Sequence, residues 1–396
     1  MAITYELTPD QAQQNISNSL LSDDIKSAIN SILAEKDGET TTIVDNYAPG
    51  NSSGGANIDI ALIDSSTIGS KQVSIKDPID TLIVKGGGDV NLKVIGSNTD
   101  LIALGDGNNS LDLSDAVESR ANFAASLDGS APFKGVLVYG GAGADIITGS
   151  AGADYIDGRD GNDTLIANGA GDTLHGGSGY NYLVGDQDEA TAFQISDGSD
   201  TVLGGDGVDL VSFGEVDIKD TNVAYQNLSS RGEYTVDWDG KTAIVHNAST
   251  GQTSELNGVE YLQWADSALV VASDDLEGGI ARLYETLFDR AGDYEGIKYW
   301  FEAYRDGASL HDIAASFLES EEAAPISALS DAEFVDLLYT NLLDRPADAE
   351  GAQYWQGELA ESGDRADVAA RFLLTEESVN KTSEVIHILS DDDQIV

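Results

Sequence analysis

The chain of 396 residues has no cysteine, one methionine, six prolines and four histidines, and its 20 basic residues stand against 70 acidic ones. Without cysteine, disulfides, thiolate nucleophiles and cysteine-ligated zinc are excluded. His175, His246, His311 and His387 have no spacing that makes a zinc site and read as surface or structural side chains. No apolar run approaches the roughly 18 residues of a membrane span, so no membrane insertion is expected. The formal net charge of −50 argues against nucleic acid and anionic lipid as partners, because both need cationic patches. A surface of this kind belongs to a halophilic solvated protein or to one loaded with cations. The opening MAITYELTPDQAQ lacks a charged region followed by an apolar stretch, so no cleaved N-terminal export signal is expected.

Glycine is abundant, at 43 residues. Between Gly140 and Asp209 it recurs in a nine-residue phrase: GGAGADIIT, GSAGADYID, GRDGNDTLI, ANGAGDTLH, GGSGYNYLV, then after an insertion DGSDTVL and GGDGVDLVS. The sixth positions are Asp145, Asp154, Asp163, Asp172 and Asn181, and the eighth are Ile147, Ile156, Leu165, Leu174 and Leu183. A carboxylate and an aliphatic held at constant offset describe a metal-binding coil with its own core. Calcium takes six to eight oxygens from carboxylates and carbonyls on a sharply turned backbone, and glycine permits such turns. The aliphatic two residues on points inward because strand side chains alternate. Nine residues make half a coil, so repeats n and n+2 stack at roughly 4.8 Å. That places Asp145 over Asp163, Asp154 over Asp172 and Asp163 over Asn181, with an ion expected between each pair. The candidate calcium ligands are Gly141, Gly143, Asp145, Gly152, Asp154, Gly161, Asp163, Asp172, Gly179, Asn181, Asp200 and Asp209. Without metal the stacked carboxylates repel and the glycine-rich chain loses too much entropy to order. With a site dissociation constant near 10⁻⁴ M, about 1 mM external calcium contributes roughly 1.4 kcal/mol per site, and cytosolic calcium almost nothing. The expected logic is unfolded inside the cell and folded outside.

The rest of the chain arranges itself around that coil. Residues 1–57 read as an N-terminal helix, over 9–36 with Leu20, Leu21, Ile25, Ala28, Ile29, Ile32 and Leu33 near helical spacing, then a loop from Gly38 to Gly55. Residues 58–135 read as a degenerate beginning of the same coil, where Asp100 and Asn109 are nine apart, broken by an excursion over 112–135. The coil proper spans 136–212, with a second excursion from Asp186 to Ser199. Residues 213–273 read as a β cap: TVDW-DG-KTAIVH is a hairpin signal with Asp239-Gly240 at a tight turn, and NGVEYLQWADSALVV is a closing strand pair. Such a cap blunts the unpaired end of a coil. Residues 274–386 are a helical domain of two copies offset by 55 residues, LYETLFDRAGDYEGIKYW (283–300) matching LYTNLLDRPADAEGAQYW (338–355). One core is expected from Leu283, Leu287, Tyr299, Trp300, Ile313 and Phe317, the other from Leu338, Leu342, Tyr354, Trp355, Val368 and Phe372. Asp289, Asp293 and Glu295 read as helix capping and solvation, with a further cation loop as the alternative. Residues 387–396 form a tail. The fold class expected is mainly β, a parallel β-roll or β-helix with a β-hairpin cap, plus a C-terminal all-α domain.

The nonapeptide resembles the RTX repeat GGxGxDxUx, closely over 136–212 and weakly over 80–113. Ser150, Arg159, Ala167 and Ala170 depart from its glycines and Asn181 from its aspartate, which puts calcium binding around 167–172 and 181 in doubt. The resemblance implies export by a type I system through an uncleaved C-terminal signal, and EVIHILSDDDQIV is similar to the acidic-then-aliphatic ends of such substrates. The paired C-terminal units resemble the DUF4214 domain in their Leu-Tyr, Asp-Arg, Gly and Tyr-Trp pattern. That resemblance implies the company of surface-layer, adhesive and matrix proteins, and a likeness to phycobilisome linker modules.

An enzyme is not expected. HExxH is absent, and the GxSxG at Gly50-Asn51-Ser52-Ser53-Gly54 lacks the strand and helix of a nucleophile elbow. Some 85 residues ahead of the coil are too few for a familiar hydrolase. Outward positions 146, 155, 164, 173 and 182 read Ile, Tyr, Thr, Thr and Tyr, not the threonine row of an ice-binding face, while Tyr155 and Tyr182 are candidates for a sugar-binding face. The expected function is an extracellular or cell-surface calcium-dependent structural protein that self-associates as a surface-layer, filament or biofilm-matrix subunit, with itself and cell-envelope polysaccharide as partners. The alternative is a polysaccharide-binding adhesin or a polysaccharide-modifying enzyme on a β-helix scaffold.

Overall fold

Short strands alternate between two parallel sheets from residue 58 to residue 213. The computed structural model describes residues 3–8, 41–45, 47, 58–96, 99–116, 135–214 and 228–389, with scattered positions between 11 and 30. Its contacts divide the chain into two units, one of residues 1–238, 242–259 and 264–266, the other of 239–241, 260–263 and 267–396.

In the first unit one face of the coil carries Ile58–Asp64, Ile79–Lys85, Leu101–Ala103, Leu137–Tyr139, Tyr155–Asp157, Thr173–His175, Ala192–Ile195 and Leu210–Phe213. The other carries Val73–Ile75, Asn91–Ile95, Ser110–Asp115, Ile146–Thr148, Thr164–Ile166, Tyr182–Val184 and Thr201–Leu203. Ile147 pairs with Leu165 and Leu165 with Leu183, so eighteen residues make one coil, two nonapeptides. The eighth-position side chains Ile147, Ile156, Leu165, Leu174 and Leu183 are fully buried between the faces, and each such side chain contributes about 1.5–3 kcal/mol of hydrophobic stabilisation.

The coil is longer than its repeats. Over residues 58–111 the pairs Ile60↔Thr81, Thr81↔Leu101, Val73↔Leu92 and Leu92↔Leu111 continue both faces with turns slightly longer than eighteen. The segment from Asp186 to Ser199, expected as an excursion, is itself a turn of the coil. Ala192 pairs with Thr173 and Leu210, and Phe193 fills the inward position. One extra residue and a threonine at position six hide the repeat from the sequence. Of the excursion over 112–135, Ser110–Asp115 is strand and 117–134 lie outside the described residues.

The N-terminal segment is not only helix and loop. Ile3–Leu7 pairs antiparallel with Thr41–Asp45, which joins Ile58–Asp64 in parallel, so two strands extend the first face. Positions 11, 12, 14, 16, 25, 26, 29 and 30 are helical. Ala12, Ile16, Ile25 and Ile29 pack with Ile60, Ile83, Leu101, Leu137, Tyr139 and Tyr155. Leu21 between the two groups is a bend, so the single helix expected over 9–36 is interrupted. Tyr155, expected to point to solvent, is covered, because these apolar helical positions pack on the outer side of the first face; Tyr182 on the second face is exposed. The Gly50–Gly54 motif lies outside the described residues, as do 215–227 and 390–396 of the tail.

Beyond the coil, Tyr234–Asp239 and Thr242–Asn247 flank the Asp239-Gly240 turn, where Gly240 takes φ 59°. Thr242–Asn247 pairs antiparallel with Thr253–Asn257, which pairs in parallel with Thr201–Leu203 and closes the second face. The first unit also contains buried Trp264 stacked on Phe213 at 4.7 Å.

In the second unit, Tyr261–Gln263 pairs antiparallel with Ala268–Ala272, and Ile386–Ile388 adds in parallel, so the first residues of the expected tail are a strand. Besides a single turn at Ala324–Ser327, the helices are α1 (Asp275–Phe288), α2 (Tyr294–Arg305), α3 (Leu310–Glu319), α4 (Asp331–Leu343), α5 (Ala349–Ser362), α6 (Arg365–Leu373) and α7 (Glu376–Thr382). The 55-residue repeat holds in three dimensions. Arg290 pairs with Glu322 at 2.9 Å and lies over the Tyr284 ring; Arg345 pairs with Glu377 at 2.7 Å and lies over Tyr339. Asp293 and Asp348 cap α2 and α5 by accepting backbone N–H groups, and Asp289 and Asp344 end α1 and α4 in the left-handed region. Those aspartates are thus helix punctuation. Tyr299 and Tyr354, expected in the two cores, are 62% and 51% exposed, each edge-on to the inward-turned tryptophan beside it. No helix among the described residues is long and apolar enough to cross a membrane.

Two glycines of α5 predict opposite effects. A Cβ on Gly351 would collide with the Tyr339 hydroxyl, whereas Gly357 faces open space. Chemical denaturation should show Gly351→Ala destabilising the helical unit by about 1–3 kcal/mol and Gly357→Ala stabilising it by about 0.5–1 kcal/mol. Equal effects would contradict the packing described.

Candidate metal centre

Position six of each nonapeptide sits where a glycine-rich loop meets a strand, and there the polar side chains are almost fully enclosed. Asp145, Asp154, Asp163, Asp172, Asn181, Asp200 and Asp209 are all at most 3% exposed. On the second face they form one column of hydrogen bonds. The N–H of Asn109 donates to Asp145 Oδ1 at 2.7 Å, Asp145 to Asp163 at 2.8 Å, Asp163 to Asn181 at 2.9 Å, and Asn181 to Asp200 at 3.1 Å. Asp200 N–H ends it on Ser254 Oγ at 3.0 Å. On the first face Val136 donates to Asp154, Asp154 to Asp172 and Thr191 to Asp209. The stacking expected of Asp145 over Asp163, Asp154 over Asp172 and Asp163 over Asn181 is present. The direct link between stacked positions is an N–H···Oδ1 bond, since the pleat brings each carboxylate under the amide of the preceding rung.

The second carboxylate oxygen is treated differently from rung to rung. Gly141 N–H donates to Asp145 Oδ2 at 3.0 Å and Asn168 N–H to Asp172 Oδ2 at 3.0 Å. Ser150, which replaces a glycine, donates its N–H and its hydroxyl to Asp154, and Gly152 N–H donates to Ser150 Oγ. Asp163 Oδ2 and Asp200 Oδ2 are buried with no hydrogen bond. A buried carboxylate oxygen without a donor costs on the order of 1–3 kcal/mol or more, unless a cation neutralises it.

Glycine lets the loops approach. A Cβ on Gly161 would overlap the Gly143 carbonyl and press on Asp163 Oδ1, and one on Gly179 would overlap the Gly161 carbonyl. Gly141 and Gly143 likewise rest on the carbonyls of Gly105 and Gly107. Backbone oxygens and carboxylates thus converge on the same edge. Among the described residues no three His, Cys, Asp or Glu side chains group to hold a metal by themselves, so a cation here needs carbonyl oxygens too. A hard oxygen-only donor set with orphaned negative oxygen fits calcium. Arg159, at a glycine position, takes φ 73° and covers the Tyr139 ring at 4.7 Å.

The electrostatics follow from burial. Burial pushes the Asp163 carboxyl up to about 7, with the charges of Asp145, Asp157 and Asp200 adding to it, and Asp200 up to about 6. Asp145 and the stacked pair Asp154 and Asp172 are raised by the same cause, Asp172 further by Asp154.

A second polar cluster escaped the sequence reading. On the first face Asp157 Oδ1 lies 3.3 Å from His175 Nδ1, whose Nε2 lies 2.9 Å from Ser196 Oγ, beside Arg159 and Asp197 in an open cavity of about 430 Å³. The signal was the pairing of position nine in alternate repeats, Asp157 with His175, legible once the coil period is applied.

Residues 137–165, 166–189 and 196–216 match the RTX calcium-binding nonapeptide repeat, and residues 278–327 and 325–382 match DUF4214, a domain of unknown function. Calcium is therefore the ion of these repeats. Among solved structures the chain is similar to the extracellular lipase LipA of Serratia marcescens, at 17% identity and a TM-score of 0.22, over 55% of this chain and 40% of that one. No curated protein matches.

The buried carboxylates predict how pH acts on the metal-free protein. An aspartate whose folded pKa exceeds its unfolded value lends stability below the unfolded value and loses it as pH rises through the folded one. In EGTA the coil should lose on the order of 2 kcal/mol through Asp163 alone between about pH 5 and 8, with calcium restoring it at pH 8. Asp163→Asn should flatten that slope in thermal melts followed by circular dichroism; an unchanged slope would assign it to other groups.

Proposed function

We propose that this chain is an exported structural protein whose coil folds on calcium outside the cell and which then associates with itself, as a surface-layer, filament or biofilm-matrix subunit, without catalysing a reaction. Asp145, Asp154, Asp163, Asp172, Asp200 and Asp209 are its ligating carboxylates, and the carbonyls of loop glycines such as Gly141, Gly143, Gly161 and Gly179 complete the shell. The observation that carries this reading is the column of enclosed aspartates, two of whose buried oxygens have no donor. At pH 7 such a column is much more stable when divalent charge enters it. Low cytosolic calcium then leaves the glycine-rich chain unfolded and fit for export, while external calcium near 1 mM supplies roughly 1.4 kcal/mol per site at a dissociation constant near 10⁻⁴ M. The formal charge of −50 supports the same reading, because calcium also removes the repulsion between copies.

A second reading has its own observation. The Asp157–His175–Ser196 chain lines an open cavity and has the order carboxylate, imidazole, hydroxyl of an activated nucleophile. A polysaccharide-directed protein with ester-cleaving or sugar-binding activity would use that place. Asp197 alongside disfavours the developing oxyanion, which leaves the structural reading ahead.

Light scattering and electron microscopy on purified protein, with calcium titrated from zero to about 10 mM, separate the two. Ordered polymers that dissolve in EGTA support the structural reading. A monodisperse monomer that cleaves esterified polysaccharide, and loses this with Ser196→Ala, supports the second.

A further inference from the structure

Two rungs of the second-face column carry asparagine in place of aspartate, and their geometry differs from the aspartate rungs in one respect. Asn109 accepts Val90 N–H on Oδ1 at 3.3 Å, as an aspartate would, but its Nδ2 donates to the carbonyls of Gly105 and Gly107, both at 2.8 Å. Asn181 accepts Asp163 N–H on Oδ1, and its Nδ2 donates to Gly177 at 3.4 Å and to Asp200 Oδ1 at 2.9 Å. Gly105 and Gly107 stand at the second and fourth positions of their phrase, counted back from Asn109 at the sixth, and Gly177 at the second position of its own. An ionised aspartate has no hydrogen to offer these carbonyls.

We infer that Asn109 and Asn181 are metal-independent closures, in which the side-chain amide takes the place of aspartate plus cation, and that they divide the calcium column into a bounded segment. One amide continues the N–H···Oδ1 column and supplies positive hydrogen to the loop oxygens, so the rung closes with no ion and no net charge. The column on this face reads Asn109, Asp145, Asp163, Asn181, Asp200, Ser254. Asp145 and Asp163 are its one adjacent carboxylate pair, held between two neutral rungs. Within the nonapeptide stretch of the other face Asp154 and Asp172 adjoin, and Thr191 separates them from Asp209. Within the nonapeptide stretch each face thus carries one adjacent carboxylate pair, and Asp200 and Asp209 stand as single carboxylate rungs beyond a neutral one. The asparagine rungs stay ordered without metal and give the ligating rungs a preformed neighbour.

This inference rests on the calcium reading of the repeats. It is tested by counting ions bound to the full-length chain with native mass spectrometry in calcium, and by melting each variant in EGTA. Asn181→Asp sets a carboxylate against Asp200 and Asp163; it should bind one more calcium ion than the parent and melt lower in EGTA. Asp163→Asn should do the reverse, binding one ion fewer and melting no lower in EGTA, so the test survives if the first variant fails to fold. Unchanged ion counts in both variants, with a parent that binds calcium, would overturn the inference while leaving the proposed function standing. A parent that binds no calcium would overturn that function instead.

Discussion

The structure depends on a repeated hydrogen bond from the backbone N–H of one rung to the side-chain Oδ1 of the next. Strand pairing alone does not choose which loop lies beneath which. The bond does, because only a short polar side chain at position six reaches the amide of the rung one turn back. It also brings like charges within a few ångströms of one another inside the protein, where screening is weak. Order and repulsion therefore arise from the same residues, and a divalent cation resolves the conflict.

Two neighbouring features fit that constraint. Glycines at the second and fourth positions allow loop carbonyls to lie against the next loop, so neutral oxygen is available beside each carboxylate. Where the repeat departs from its pattern, the replacement makes a bond of its own: Ser150 adds a hydroxyl to Asp154, and Asn109 donates to the Gly105 and Gly107 carbonyls. Arg159 accepts a left-handed backbone and lays its guanidinium over Tyr139, a contact worth about 0.5–2 kcal/mol against a steric cost of roughly 1–2 kcal/mol.

The helical unit follows a different economy, in which identical devices occur twice. The Asp-Arg pair after α1 and α4 ends a helix on a left-handed aspartate and sends the arginine over a tyrosine ring to a glutamate 32 residues away. The glycine in the first turn of α2 and α5 leaves room for that tyrosine's hydroxyl. The sequence pattern of Leu-Tyr, Asp-Arg, Gly and Tyr-Trp is thus one contact network written out twice. Tyr299 and Tyr354 lie outside the two cores because two adjacent aromatics cannot both face inward from one helix.

Much of this was legible in the residues. Strict nine-residue spacing determined the coil, its inward aliphatics and the stacking of Asp145 on Asp163, because a coil of constant length leaves each position one neighbour. The Asp239-Gly240 turn and the doubled helical unit were equally readable, being local or self-similar. Tertiary structure decided what spacing cannot express. Residues 186–199 proved to be a coil turn because a buried face tolerates Phe193 for an aliphatic. Tyr155 became covered because apolar helical positions far earlier in the chain, Ala12, Ile16, Ile25 and Ile29, pack in the same cluster. The Asp157–His175–Ser196 contact and the amide closures of Asn109 and Asn181 depend on which atom of a side chain meets which rung, and that is set by the packed coil alone.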